Sequence, residues 1–370
     1  MKRSTRRIAI NLVLFLAVLS VVLLLGRSSE SDRRFTWTRI QYKGVSGSLS
    51  GARGICPGLK DTTKPPLVVA RVADDGNSEW VQGLADKYNI CMYTADAPLN
   101  LSSFELQVPA NRGHEAMAYL TFMIDNYDEI PEAGVVFIHG SRFAWHNDQL
   151  KYDNAVLLRD LNVSAALEPY GYHNLRCDWS ASTCEGTVKP QGSWETRSRA
   201  VMEPLNQRVV SDAGLPSALA VLFGGNERDA SVMLGRGDII RSQCCAQFVV
   251  SKKNVHQHNK EEYLALRQWL LDGSQGDLSG MQSTIAAPAD DRVAGRILSY
   301  IWHILFLPHQ DMVGTSLKSL NDMACPSARD CYCRLYGRCK LSGCKDEHCP
   351  GQYRLPPGFR LPEGWVESHA

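Results

Sequence analysis

The sequence predicts an α/β fold: a Rossmann-like mixed sheet flanked by helices, preceded by one transmembrane helix and followed by a small disulfide-rich module. Three observations lead there. Between residues 67 and 139, short β-branched apolar runs alternate with an amphipathic helical stretch, the pattern of βαβ units. An almost unbroken apolar run from Ile8 to Leu25 follows a basic N-terminus. Half of the 12 cysteines crowd between Cys325 and Cys349. With 44% hydrophobic and 21% charged residues, the composition excludes a largely disordered chain. A net charge of +1, with no basic block beyond the N-terminus, argues against a nucleic-acid partner.

The N-terminal segment comes first in the chain. Lys2, Arg3, Arg6 and Arg7 precede the apolar run, which only Asn11 and Ser20 interrupt. Its eighteen residues span about 27 Å as a helix, close to the hydrocarbon thickness of a bilayer. No small-residue cleavage pattern follows at Gly26-Arg27-Ser28-Ser29, so an uncleaved signal anchor is expected, with the N-terminus in the cytosol. The expected location is a membrane of the secretory pathway, ER or Golgi, as a single-pass type II protein; cleavage would make the chain secreted. Sequons at Asn100 and Asn162 and the cysteine usage fit that lumenal compartment.

The rest divides by composition. Residues 1–26 read as cytosolic tip and anchor, 27–66 as a polar stem, 67–310 as the α/β domain, 325–350 as the cysteine-rich module and 351–370 as a tail. Leu67–Val72 is a buried strand, Ser78 caps a helix through Tyr88, and Ile90–Tyr93 is the next strand, parallel to the first. Glu115 opens a periodic helix whose Met117, Leu120, Ile124 and Tyr127 form one stripe. Val135–His139 is a third buried strand. Apolar stretches at Ala218–Phe223 and Gln247–Val250, a helix at Glu261–Leu271 and an apolar helix at Arg296–Phe306 complete the domain.

Three segments carry chemistry. Asn111-Arg112-Gly113-His114-Glu115 places free amides at a helix start beside basic side chains, which attracts anions; the alternative is an ordinary capped helix. The segment from His139 through Gly140, Arg142, Trp145 and His146 to Asp148 follows a buried strand, where open α/β sheets bind ligands. Its imidazoles and carboxylate could hold a divalent metal, and Arg142 or Trp145 a ligand. A metal-dependent hydrolase on His139 and His146 is one reading of it. Arg176-Cys177-Asp178-Trp179 offers Asp178 as a base, or a Cys177–Cys184 bridge bracing a loop. The vicinal Cys244 and Cys245 are expected in disulfides. Cys325, Cys331, Cys333, Cys339, Cys344 and Cys349 are expected to cross-link a segment with too few apolar residues for a core, in any of 15 pairings. No P-loop, G-x-S-x-G or H-E-x-x-H motif occurs.

The succession LVVARV, NRGHEAMAYLTFMIDNYDEIP, VVFIHG, WHND, NLRCDW, CAQFVVSKKNV and YIWHILF resembles an uncharacterised domain-of-unknown-function family abundant in fungi. The likeness covers Leu67 to Phe306, and that family is itself similar to GT-A-type glycosyltransferases, which use nucleotide sugars. Asn111, Arg112, Gly113, Glu115, His139, Gly140, Trp145, His146, Arg176, Asp178, Gln247 and His303 sit at its characteristic positions. The resemblance implies a GT-A-like fold, a nucleotide-sugar donor and a glycan or glycoprotein acceptor, with the membrane engaged through the N-terminal helix. It further implies Arg112 and Gly113 on phosphate, Asp96 on the nucleoside, His139 and His146 in the donor site, and Asp178 or Glu115 as the base. A Mn²⁺ or Mg²⁺ ion would involve Asp148 and His303. This chain departs by carrying His114 where a residue such as arginine is expected, and by lacking a D-x-D triplet. Either His139, His146 or Asp148 substitutes for that triplet, or cationic side chains neutralise the diphosphate. The alternative function is non-catalytic glycan binding at the cell surface or in the secretory pathway.

Overall fold

The computed structural model describes residues 3–25, 33–44, 54–98, 100, 105–224, 231–274, 286–309 and 314–353; parts of the expected stem and most of the tail lie outside them. The apolar N-terminal run forms helix α1 (Arg3–Leu25). Among the described residues, however, no helix is long and apolar enough to cross a membrane. That corrects the expected signal anchor, the type II topology and the ER or Golgi membrane location. Arg3, Arg6 and Arg7 occupy its first two turns, and charged side chains there oppose burial in hydrocarbon. The cysteines still fit a secretory route, because all 12 are paired, the state an oxidising compartment gives.

The described part of the expected stem belongs to the domain. Strand β1 (Arg34–Phe35) begins a segment in which Phe35, Trp37, Ile40 and Tyr42 are all buried. Phe35 and Trp37 lie two residues apart on one side of an extended chain, and their rings stack at 4.1 Å. The Tyr42 hydroxyl donates to Asp272 at 2.6 Å. Removing those aromatics from water outweighs leaving the linker free. The Cys56–Cys91 disulfide fastens the next part.

The domain then runs β2 (Pro66–Arg71), α2 (Glu79–Gln82), β3 (Asn89–Thr94), β4 (Leu106–Gln107), α3 (Glu115–Asp125), β5 (Val135–His139), α4 (Asn154–Asp160), α5 (Val163–Leu167) and β6 (Tyr172–Asn174). It continues through α6 (Trp194–Met202), α7 (Gln207–Gly224), β7 (Phe248–Val250), α8 (Lys252–Val255), α9 (Lys260–Ser274), α10 (Asp291–Ser299) and α11 (Trp302–Phe306). Strand β8 (Thr315–Ser316) pairs with β1, and helices α12 (Leu317–Ala324) and α13 (Ala328–Tyr336) follow. The expected helix at Arg296–Phe306 is thus two, α10 and α11, with Tyr300 and Ile301 between them.

The main sheet has the order β4-β3-β2-β5-β7-β6. Its first four strands are parallel, while β7 runs antiparallel to both neighbours, so the sheet is mixed as expected. Alternation along β2 and β5 divides two cores. Val68, Phe137 and Phe248 face α3, whose residues from Ala116 to Ile124 are all buried. Leu67, Val69, Val136, Ile138 and Val249 face the other way, onto α2, α4 and α13. Helix α13 presents Ala328, Cys331, Tyr332 and Leu335 at i, i+3, i+4 and i+7 to that second core.

This packing is why the cysteine-rich segment is not a freestanding module. Cys331 pairs with Cys177 and Cys325 with Cys184, both across the domain, whereas Cys333–Cys339 and Cys344–Cys349 are local. A bridge between Cys177 and Cys184 does not form. The chain leaves β2 towards β3 on one side and returns to β5 on the other. The crevice beyond the carboxyl ends of β2 and β5 is therefore the topological switch point, where open α/β sheets bind ligands.

Candidate functional site

A cleft of about 420 Å³ opens beyond the end of β5, within the usual size of a small-molecule site. A smaller arm of about 170 Å³ reaches over the end of β2, lined by Arg71, Asp75, Asn111 and Ser141. His114, Glu115, His139 and His146 line both and form the septum between them.

Local sequence positions each part of the septum. His139 is the last residue of β5, paired across the sheet with Ala70. Gly140 follows because a Cβ there would lie 2.5 Å from the Arg71 Cβ and 2.9 Å from its Cα. The loop from Ser141 to Asp153 is held by amides rather than apolar packing. Gln247 accepts from Asn154 at 2.9 Å and donates to Asn147 at 3.0 Å, and Asn147 donates to the Arg142 and Tyr152 carbonyls. Helix α10 closes the cleft against α3. Its Gly295 is required there, since a Cβ would meet the Gly113 carbonyl at 3.0 Å and the His114 ring at 3.1 Å.

The chemistry centres on Glu115 and His139. The Nε2–H of His139 donates to the Cys245 carbonyl at 2.5 Å, which leaves Nδ1 facing the Glu115 carboxylate at 3.9 Å. A carboxylate and an imidazole nitrogen thus face one another in the cleft wall, just beyond direct hydrogen-bond distance. His146 packs edge-on against His139 at 4.9 Å, and its Nε2 is buried without a partner. Burial, followed by the neighbouring His139 and Arg176, pushes His146 down to about 3, so it is neutral at ordinary pH.

Another part of the lining is cationic. Arg208 from α7 and Arg292 and Arg296 from α10 line the cleft, the latter two one turn apart on one helix face. The Arg296 Nε, the Ser242 hydroxyl and both polar atoms of the Gln243 amide are buried and unpartnered around the same cavity. Buried polar groups are normally satisfied, so their convergence marks a place for a polar ligand. Backbone strain gathers here too: His114, Ala181 and Cys245 have φ of 52°, 62° and 90° and all line the cleft. Cys244 and Cys245 form a vicinal disulfide in its wall.

The sequence-derived candidates separate into those in the cleft and those in its scaffold. Glu115, His139, His146 and Trp145 line the main cleft, and Asn111 lines the smaller arm. Arg112 is buried: its guanidinium donates to the carbonyls of Leu270, Pro288 and Ala289 and to Asp291, and the Gly113 amide also donates to Asp291. Neither is placed to take phosphate. Arg142 forms a paired contact with Asp153 at 3.0 and 2.9 Å. Asp96 accepts from the Ala73 amide at 2.9 Å.

Arg176 donates to the carbonyls of His146 and Asp178 and to the Ser180 hydroxyl. Asp178 lines a neighbouring cleft instead. Asp148 is buried, accepting from the amides of Cys177 and Asp178 and from the Tyr332 hydroxyl. His303 is enclosed on α11 with both ring nitrogens unpartnered. Asp148 and His303 do not meet in a ligand set; among the described residues no group of three or more His, Cys, Asp or Glu is arranged to hold a metal ion. Asn100 and Asn162 are exposed, Asn162 as the cap of α5.

Sequence reasoning missed Arg71, Arg208, Gln243, Arg292 and Arg296. The one available signal was the i, i+4 spacing of Arg292 and Arg296, which also describes a solvated helix face.

The family described as protein of unknown function, DUF3431, matches residues 67–334, and the chain belongs to it. The match runs past Phe306 through α12 and into α13, the elements the long-range disulfides tie to the sheet. No curated protein and no solved structure matches the chain.

Proposed function

We propose that this DUF3431 chain is a glycosyltransferase, moving a sugar from a nucleotide-sugar donor to a hydroxyl of a glycan or glycoprotein acceptor. One observation supports the reading above the others: a three-arginine wall and the facing Glu115–His139 pair share one cleft at the topological switch point. The donor's diphosphate lies on Arg208, Arg292 and Arg296. The acceptor oxygen attacks the anomeric carbon, the bond from that carbon to the diphosphate oxygen breaks with its electron pair, and the hydroxyl proton passes to Glu115. His139, fixed by the Cys245 carbonyl, steadies the proton so received. The arginines stabilise the charge developing on the leaving diphosphate, in a site that fixes them before reaction. A Mn²⁺ or Mg²⁺ ion arriving with the donor is the other source of positive charge, which the test probes with Mn²⁺.

The test is a thermal shift of the purified protein with UDP and GDP, with and without Mn²⁺, followed by transfer from nucleotide sugars. At least one diphosphate should stabilise the wild type, and Arg296→Ala should abolish that shift. Glu115→Gln should keep the shift while transfer falls roughly 10²- to 10³-fold. The reading fails if no diphosphate stabilises the wild type under any condition, or if Glu115→Gln transfers at the wild-type rate. Trp145, 63% exposed at the rim, favours a second reading, saccharide binding without transfer. That reading requires glycan binding with no response to nucleoside diphosphates.

A further inference from the structure

Beside the arginine-walled cleft lies a second one of about 580 Å³, lined by Trp145, Tyr152, Asp178, Glu185, Glu347 and His348 among others. The two share Trp145 and Ala181 as a common rim. We infer that this second cleft is an oligosaccharide-binding site, serving as the acceptor subsite, a role that rests on the transferase reading above.

The chemistry of its walls selects the ligand. Trp145 offers a flat, largely exposed indole to which the apolar face of a sugar ring can stack. Around it, Glu185 and Glu347 present carboxylates that accept hydrogen bonds from hydroxyl groups. The Asp178 carboxylate is already balanced by Arg176 at 3.5 Å and braced by the Ser180 amide. An anionic ligand would meet repulsion here, in contrast to the neighbouring cleft. A neutral, hydroxyl-rich chain satisfies both the aromatic face and the carboxylates.

The cysteine-rich segment supplies one side of this site, and it is built rigidly. The Trp179 amide donates to the Glu347 carbonyl at 2.9 Å, and its indole N–H to the Pro326 carbonyl at 3.0 Å. The Gln352 amide donates to the Asp148 carbonyl at 3.1 Å. Disulfides Cys177–Cys331, Cys184–Cys325 and Cys344–Cys349 hold the same wall. A wall fixed before binding loses little freedom when a ligand arrives. From the shared rim, Trp145 touches His146 at 5.4 Å and His146 touches His139 at 4.9 Å. A sugar ring on Trp145 therefore lies one imidazole away from the Glu115–His139 pair.

The experiment uses the purified full chain and maltotriose, cellotriose, mannotriose and chitotriose, with binding read by calorimetry and by quenching of tryptophan fluorescence. No donor is needed, so binding is measured independently of transfer. At least one trisaccharide should bind the wild type, Trp145→Ala should weaken it at least tenfold, and Glu347→Gln about threefold. Trp145→Phe should recover most of the affinity. Both positions are exposed, and unchanged unfolding midpoints would show that the fold survives. The site is overturned if no trisaccharide binds, or if Trp145→Ala binds like the wild type. Trp145-dependent binding without any transfer keeps the site and sinks the transferase reading. Transfer with an acceptor KM unmoved by either variant sinks the site and keeps the transferase reading.

Discussion

The start of α3 and helix α10 touch one another, and they treat their arginines in opposite ways. Arg112, just before α3, is enclosed, and its donors are taken by three carbonyls and Asp291. Arg292 and Arg296 of α10 face the cleft, the first exposed and the second donating to the Tyr300 hydroxyl through Nη2 at 3.2 Å while its buried Nε stays unpartnered. A guanidinium carries five donors, and what it does depends on whether the fold already supplies their acceptors. Saturated, it is a strut. Left open beside a cavity, it is a binding group. Position at a helix start, by contrast, says little on its own.

The largest expected effect tests the strut. Arg112→Ala leaves buried carbonyls without donors and should cost about 3 kcal/mol of stability, read from the midpoint of denaturant unfolding. Arg112→Lys should recover little, because one ammonium cannot span the acceptors a planar guanidinium bridges. If Arg112→Ala kept full stability and lost affinity for nucleoside diphosphates, the roles of the two regions would be exchanged.

A smaller effect tests the open wall. Arg292 is exposed, and its guanidinium makes no hydrogen bond or ion pair among the described residues. Arg292→Ala should change stability by no more than about 0.5 kcal/mol. Affinity for a nucleoside diphosphate should fall about tenfold, the loss of one charge-assisted contact. Equilibrium titration at fixed salt measures it. An unchanged affinity would remove Arg292 from the wall and narrow the site to Arg208 and Arg296.

Local pattern made the elements legible, while long-range partners hid their use. Val135–His139 emerges where its apolar run predicts, and the strands at Leu67 and Ile90 pair in parallel as their spacing requires. The position of His139 and Glu115 at the crevice also follows from strand and helix ends. Arg112 could not be read correctly, because its ion-pair partner Asp291 lies 179 residues away. The expected disulfide bonding holds throughout, but the Cys177–Cys184 bridge failed for the same reason, Cys177 pairing instead with Cys331 154 residues away. Arg208, Arg292 and Arg296 look like solvated positions on ordinary helices until α7 and α10 are placed beside the crevice. Apolar run length misled in the opposite direction at α1, whose first two turns carry Arg3, Arg6 and Arg7.

The smallest effect sharpens the comparison with a third kind of group, enclosed yet unsatisfied. His303 sits on α11 with neither ring nitrogen partnered, and burial lowers its pKa to about 3. His146 is lowered as far by burial, and His173 and His309 are lowered to about 4. Each is neutral in the folded chain and takes a proton near 6.5 when unfolded, so acid favours unfolding. Their contribution to stability is therefore intact above about pH 6.5 and declines as pH falls from there towards the folded values. One such histidine costs about 1 kcal/mol by pH 5.5. His303→Leu should flatten that decline by this amount, and it should also raise stability at neutral pH, since it removes two unsatisfied nitrogens from the core. Denaturant unfolding of both proteins at several pH values between 5 and 8 measures the slopes. Equal slopes would mean that His303 gains a proton or a partner in the folded chain, and an enclosed group would then count as satisfied. The cleft would keep its orphaned atoms, and their meaning as a ligand's place would rest on the cavity around them rather than on the missing partners alone.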